Sequence, residues 1–265
     1  MLSTFVLAVL AVRWIGWTDG PNPVPQAWVL AAPALGLLST STLALLRSLV
    51  RQRRDTRRVA EWVRLRAIPI QPAIAVVIAD AGIARCRLVR DEQPYAFTFG
   101  IFRPIVVVTS ALFNELDAGP LRAILLHEAA HARARDPGRL FLARAIAAGL
   151  LGFPPAARAQ GRCHQWAELA ADRAVLGQLG PRPLAVALLA LLRRPGRLLP
   201  RAEGSVVEAD DLLPARLLQL SAYPERLLLP PSGRGEKLAI SALVGSVVAA
   251  AAVPCTLFTA LLAQM

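Results

Sequence analysis

Two short patterns constrain this chain more than anything else in it. The first is His127-Glu128-Ala129-Ala130-His131, which follows the apolar run Ala123-Ile124-Leu125-Leu126 as a buried helix would. Residues i and i+4 share a helix face, so both imidazoles can reach one metal ion. A catalytic zinc usually takes three protein ligands and keeps one position for water. A His six residues after His131 would complete one known arrangement, but that position is Pro137. The other arrangement takes a Glu from a later helix. The second pattern, Glu168-Leu169-Ala170-Ala171-Asp172, supplies it, with Glu168 and Asp172 one turn apart. Any fold of this chain must therefore bring two separate helices to one point.

The roles follow from spacing. Glu128 sits beside the open coordination position, where it can take a proton from a zinc-bound water. Glu168 would bind zinc. Asp172 would accept a hydrogen bond from the far nitrogen of a ligand histidine and hold its tautomer. The chain has only His127, His131 and His164, so an accidental HExxH is rare here. The chemistry indicated is metal-assisted hydrolysis of a peptide bond, with Zn2+, one per chain, as cofactor. Cys163 and His164 lie near Glu168, and Cys163 reads as a bystander thiol rather than a ligand. Cys86, Cys163 and Cys255 are scattered and odd in number, so no disulfide framework is expected.

Composition places that site near a bilayer. Of 265 residues 55% are hydrophobic, and the mean hydropathy of +0.47 exceeds that of an ordinary soluble domain. Leu2 to Trp17, Ala27 to Leu46 and Leu238 to Ala263 are candidate spans. Arg47, Arg51, Arg53, Arg54, Arg57 and Arg58 follow the second as a positive-inside signal. The net charge is +12, with Lys237 the only lysine. No nucleic-acid motif accompanies that charge, so no direct nucleic-acid binding is expected. The arginines read as topology signals and anionic-lipid contacts.

The expected fold class is α+β, mostly α: an integral membrane protein with about three transmembrane helices and a zinc metallopeptidase domain holding a small β-sheet. Residues 1–50 would form a transmembrane hairpin, 51–237 a cytoplasmic-facing catalytic domain, and 238–265 a C-terminal span. The expected location is the cell membrane, multi-pass, with the N-terminus inside and the C-terminus outside. Ala73 to Ile78, Cys86 to Val89 and Ile105 to Thr109 read as strands. Residues 56–66, Leu112 to Leu116, Leu121 to Arg135, Gln165 to Leu179 and Leu184 to Leu192 read as helices. The stretch 139–153 reads as a helix buried in the domain or lying on the membrane, with a fourth span as the alternative. Residues 193–211 read as a mobile basic loop.

The strings HEAAHARARDP (127–137) and WAELAADRAVL (166–176) resemble the BlaR/MecR-type, or antirepressor, membrane metallopeptidases. More distantly they resemble the HtpX and CAAX-prenyl-protease type gluzincins. Pro94 to Gly100, followed by Arg103 to Thr109, is similar to the same group. The resemblance implies zinc ligands His127, His131 and Glu168, general base Glu128, and Asp172 behind a ligand histidine. It makes Ile105–Thr109 the edge strand above the metal, able to pair with an extended substrate. Thr98, Phe99, Gly100 and Val107 are then candidate substrate contacts. Arg216 is a candidate oxyanion donor, with a structural arginine as the alternative.

It implies a protein or peptide substrate, with a cytoplasmic winged-helix repressor as the candidate. The penicillin-sensing domain of the long receptors is expected to be absent, since the chain stops at Met265. Beta-lactam sensing is not implied. The competing expectations are an HtpX-like membrane quality-control protease and a non-catalytic zinc-binding membrane signalling protein. The intact Glu128 argues against the last, because a structural zinc site needs no free carboxylate beside the metal.

Overall fold

The computed structural model describes residues 26–151, 153–192 and 209–223. Eight helices and four strands run in the order α1 (Gln26–Arg66), β1 (Ala67–Ile68), α2 (Pro72–Asp80), β2 (Cys86–Val89), β3 (Ala96–Phe99), β4 (Ile105–Thr109), α3 (Ser110–Glu115), α4 (Ala118–Ala134), α5 (Asp136–Gly149), α6 (Pro154–Leu179), α7 (Pro181–Leu192) and α8 (Ala209–Ala222) among the described residues. The α+β, mostly α expectation agrees with this order.

The sheet runs β1-β2-β4-β3. β1 pairs antiparallel with β2, β2 parallel with β4, and β3 antiparallel with β4. Its two faces are sorted by alternation. Val106 and Val108 of β4 and Leu88 of β2 face α4, where Ile124, Leu125 and Ala129 join them with Val175 of α6 and Leu184 of α7. Val107, Val89, Phe97 and Phe99 face the other way, onto Val59 and Val63 of α1. The sheet is thus held between α1 and α4.

Three expectations change. Ala73–Ile78 is helical, within α2. Pro72 stands in its first turn, and Ile74, Val77 and Ile78 enter the core at helical rather than alternating spacing. The edge strand beside the site is β3, not Ile105–Thr109, which lies between β2 and β3. β3 was not among the expected strands; the alternation of Phe97 and Phe99 around Thr98 is the signal that was available.

The third change concerns the membrane. No helix among the described residues is long and apolar enough to cross one. The expected spans Leu2–Trp17 and Leu238–Ala263 lie outside the described residues. Ala27–Leu46 is helical, but as the first half of the 41-residue α1, which continues through the arginine cluster. There α1 docks on α5: a Cβ on Gly149 would come within 3.1 Å of Leu45. The buried Gln52 side chain donates to Ser48 Oγ at 3.0 Å on the same helix. Stretch 139–153 falls mostly in α5, packed between α1 and α6. Most of the basic loop expected at 193–211 lies outside the described residues, and 209–211 already belong to α8.

Candidate active site

Helix α4 carries the HExxH. Its apolar residues bury it against the sheet, leaving His127, Glu128 and His131 on one side, each about nine-tenths buried. Helix α6 crosses it and brings Glu168 and Asp172. The three ligand atoms converge. His127 Nε2 and His131 Nε2 are 3.1 Å apart, and each lies 3.4 Å from a Glu168 carboxylate oxygen. Ligands about 2.0–2.1 Å from a tetrahedral zinc are separated by about 3.3 Å, so the spacing suits that ion. Among the described residues, these three form the only such metal-holding group. Cys163 is exposed and outside it.

The far nitrogens explain why those lone pairs face each other. His131 Nδ1 lies 2.9 Å from Asp136 Oδ2, and His127 Nδ1 lies 3.0 Å from Asp172 Oδ1. The second approach is bent and makes no well-aligned hydrogen bond. A carboxylate only accepts, so Asp136 sets the proton on His131 Nδ1 and Asp172 faces His127 Nδ1 in the same sense, and with a metal bound each Nε2 would present a lone pair. Three acceptors then meet at one point, and only a cation or shared protons can occupy it. The donor set of two imidazoles and one carboxylate fits zinc.

The electrostatics agree. Burial works against a charged His131, yet Asp136 and Glu168 outweigh it and raise its pKa to about 10. His127 is likewise raised against its burial, by Asp172 and Glu168. Burial also opposes the charge on Glu168, but both histidines hold it well below the usual carboxylate range. Without metal the pocket attracts protons; with metal it gives them up.

Asp136 was not anticipated in this role. The sequence reading ended a helix at Arg135 and gave Asp136 no role. Arg135 takes a left-handed conformation (φ 56°) that closes α4 and starts α5 one residue later. That turn swings Asp136 back onto His131. The signal available was the aspartate five residues after the second histidine.

Arg216 holds carboxylates rather than standing open to a substrate. Its Nε and Nη2 donate to Asp172 at 2.7 and 2.6 Å, and Nη1 lies 3.3 Å from Glu168. The oxyanion-donor expectation gives way to the structural alternative. Thr98 donates its hydroxyl to Glu128 Oε2 at 2.8 Å. Phe99 and Val107 point away from the site into the core against α1, so neither side chain is placed to touch a substrate there. Gly100 ends β3 with φ +106°, where a Cβ would press on the Arg103 carbonyl at 2.8 Å. The next turn rests on α5, since a Cβ on Gly138 would collide with the Ile101 carbonyl.

No curated protein matches the chain. Residues 65–179 match the family model described as peptidase family M48. That stretch takes in the sheet, the HExxH and the Glu168/Asp172 pair, and stops short of Arg216. The match supports a metallopeptidase of a zinc-dependent family, without reaching down to the BlaR/MecR-type group that the motifs resemble.

Proposed function

We propose that this chain is a membrane-bound zinc metalloendopeptidase acting in regulatory proteolysis, with a cytoplasmic winged-helix repressor as its substrate. One observation carries the hydrolytic part: two buried imidazoles and the half-buried Glu168 converge beside a further carboxylate, Glu128, which is not needed to complete the ligand set. When bound, zinc would supply an acidified water and an electrophile for the scissile carbonyl.

The protein's own residues do the rest. Glu128 takes the proton of the attacking water and passes it to the leaving amine, so the carboxylate ends as it began. Asp136 and Asp172 keep both imidazoles in the tautomer that faces the centre. β3 offers its outer backbone edge to an extended peptide, and the turn from Gly100 to Phe102 flanks it, with Phe102 86% exposed. The regulatory role and the repressor rest on the resemblance of the motifs. The membrane context is supported by α1. There the exposed Leu43, Leu46 and Val50 adjoin exposed Arg47, Arg51, Arg54 and Arg58, as at a headgroup boundary. That cluster also supports a catalytic domain facing the cytoplasm.

The test pairs two variants. Glu128→Ala should retain about one zinc per chain and lose activity by about 10²–10⁴-fold, because it removes the base and no ligand. Glu168→Ala should lose zinc. Wild-type cleavage by Glu128→Ala would sink the assignment. Labelling of cysteines placed in residues 18–26 from outside intact cells tests the topology, and absence of labelling would count against it.

A further inference from the structure

Thr98 belongs to two structures at once. It lies in β3, which pairs with β4 on one side and with no other described strand on the other. Its hydroxyl meets Glu128 twice, at 2.8 Å from Oε2 and 3.1 Å from the backbone oxygen. We propose that Thr98 is a positioning residue that couples docking of an extended peptide on β3 to the alignment of the Glu128 carboxylate. This rests on the endopeptidase reading above.

The argument is geometric. A glutamate side chain has several rotamers, and a carboxylate with no fixed donor samples them. A hydroxyl donating to a charged oxygen selects one of them. Thr98 can do this because β3 is itself anchored. Phe97 and Phe99 bury on the opposite face against Val59 and Val63, and Gly100 turns the chain sharply at the end. What no described strand pairs with is the outer edge of β3, the side that an extended peptide would occupy by backbone hydrogen bonds. Pairing there stiffens β3, and Thr98 transmits that to Glu128. The two acceptors also suit a base that changes form. With Glu128 ionised, Thr98 donates to Oε2. Once Glu128 holds the water's proton, its hydroxyl can donate to Thr98 Oγ1 while Thr98 turns to the Glu128 backbone oxygen. No proton is gained or lost by Thr98.

The consequence is a specificity rule. Substrate residues that pair with β3 would raise kcat and not merely lower KM, because their binding energy is used to align the base. Compact substrates unable to lie along β3 would be cut slowly even when bound.

The experiment uses the zinc-loaded full chain, Thr98→Val and Thr98→Ser. The probes are a quenched-fluorescent peptide long enough to cover the four residues of β3 and its truncation to the residues flanking the cut. Zinc content and peptide Kd are measured alongside kcat and KM. Thr98→Val should lower kcat on the long peptide by about 10- to 100-fold, with KM, Kd and zinc unchanged, and Thr98→Ser should stay within about 3-fold. The kcat advantage of the long peptide should collapse in Thr98→Val. Wild-type kcat in Thr98→Val, a parallel loss of zinc or peptide affinity, or a serine variant as impaired as valine would each overturn the coupling. A zinc-loaded wild type that cleaves neither peptide would instead count against the endopeptidase reading.

Discussion

Removing Arg216 should expose how much the site depends on the arginine that joins Asp172 and Glu168. The Arg216 side chain is 15% exposed and makes two bonds of 2.6–2.7 Å to Asp172, whose side chain is 1% exposed, plus the 3.3 Å approach to Glu168. Arg216→Ala leaves two acidic groups facing each other without that cation. Breaking a buried pair on one side costs about 3–5 kcal/mol, since the remaining charge has lost its solvation and its partner. For a domain of this size that is a fall in Tm of roughly 6–20 °C. The assay is a tryptophan-fluorescence melt in detergent, in chelator and again with zinc. The fall should be largest in chelator. Zinc should restore part of it, because a divalent ion returns positive charge beside Glu168. Arg216→Lys should sit between, keeping the charge but not the two-pronged contact. A shift below about 2 °C in chelator would refute the reasoning, as would a loss that zinc does not reduce.

Asp136→Asn should weaken zinc binding about 10- to 100-fold in a competition titration while leaving the fold intact, because it replaces the charged carboxylate behind His131 with a neutral amide and removes no ligand. An unchanged affinity would show that the 2.9 Å contact is idle. Gly138→Ala places a methyl against the Ile101 carbonyl; it should cost about 1–3 kcal/mol in a melt and disturb the turn beside β3. Metal-free protein should lose stability as pH rises. His131 is raised from 6.5 to about 10, so its contribution is complete below pH 6.5 and disappears as pH climbs through about 10. Zinc affinity should move oppositely, rising about tenfold per pH unit for each proton displaced. A flat affinity between pH 6 and 9 would contradict the proton-for-metal exchange.

Much of this site was legible because its residues are short-range patterns on single helices. His127, Glu128 and His131 share one face of α4, and Glu168 and Asp172 share one of α6. Each geometry follows from the helical repeat alone. What could not be read came from the chain's long-range path. Asp136 is close in sequence to His131 but reaches it only through the left-handed Arg135. Thr98 meets Glu128 thirty residues on, and Arg216 meets Asp172 across forty-four. No local pattern encodes such distances. Strand order failed for the same reason. Ile105–Thr109 is the more apolar, β-branched segment, and that is what buries it at the centre of the sheet and leaves β3 at the edge.

The site's charges explain why these longer contacts are needed. Glu128, Asp136, Glu168 and Asp172 put four carboxylates around two imidazoles. Arg216 is the half-buried cation facing them, and Arg139, 72% exposed, touches Asp136 from solvent at 3.1 Å. So much negative charge in so little water is tolerable only if a cation shares the space. A divalent ion meets that need from the centre, and protons on the two Nε2 atoms meet it otherwise. Arg216 meets part of it in either state, which is why it stands on a different helix from every ligand. It can hold Glu168 and Asp172 in place while the centre exchanges protons for metal. Its contact with the ligand set is with Glu168 Oε2 at 3.3 Å, so its charge leaves the two Nε2 lone pairs to the ion. From behind, it lowers the repulsion between the carboxylates and leaves the Nε2 lone pairs and Glu128 directed at the centre.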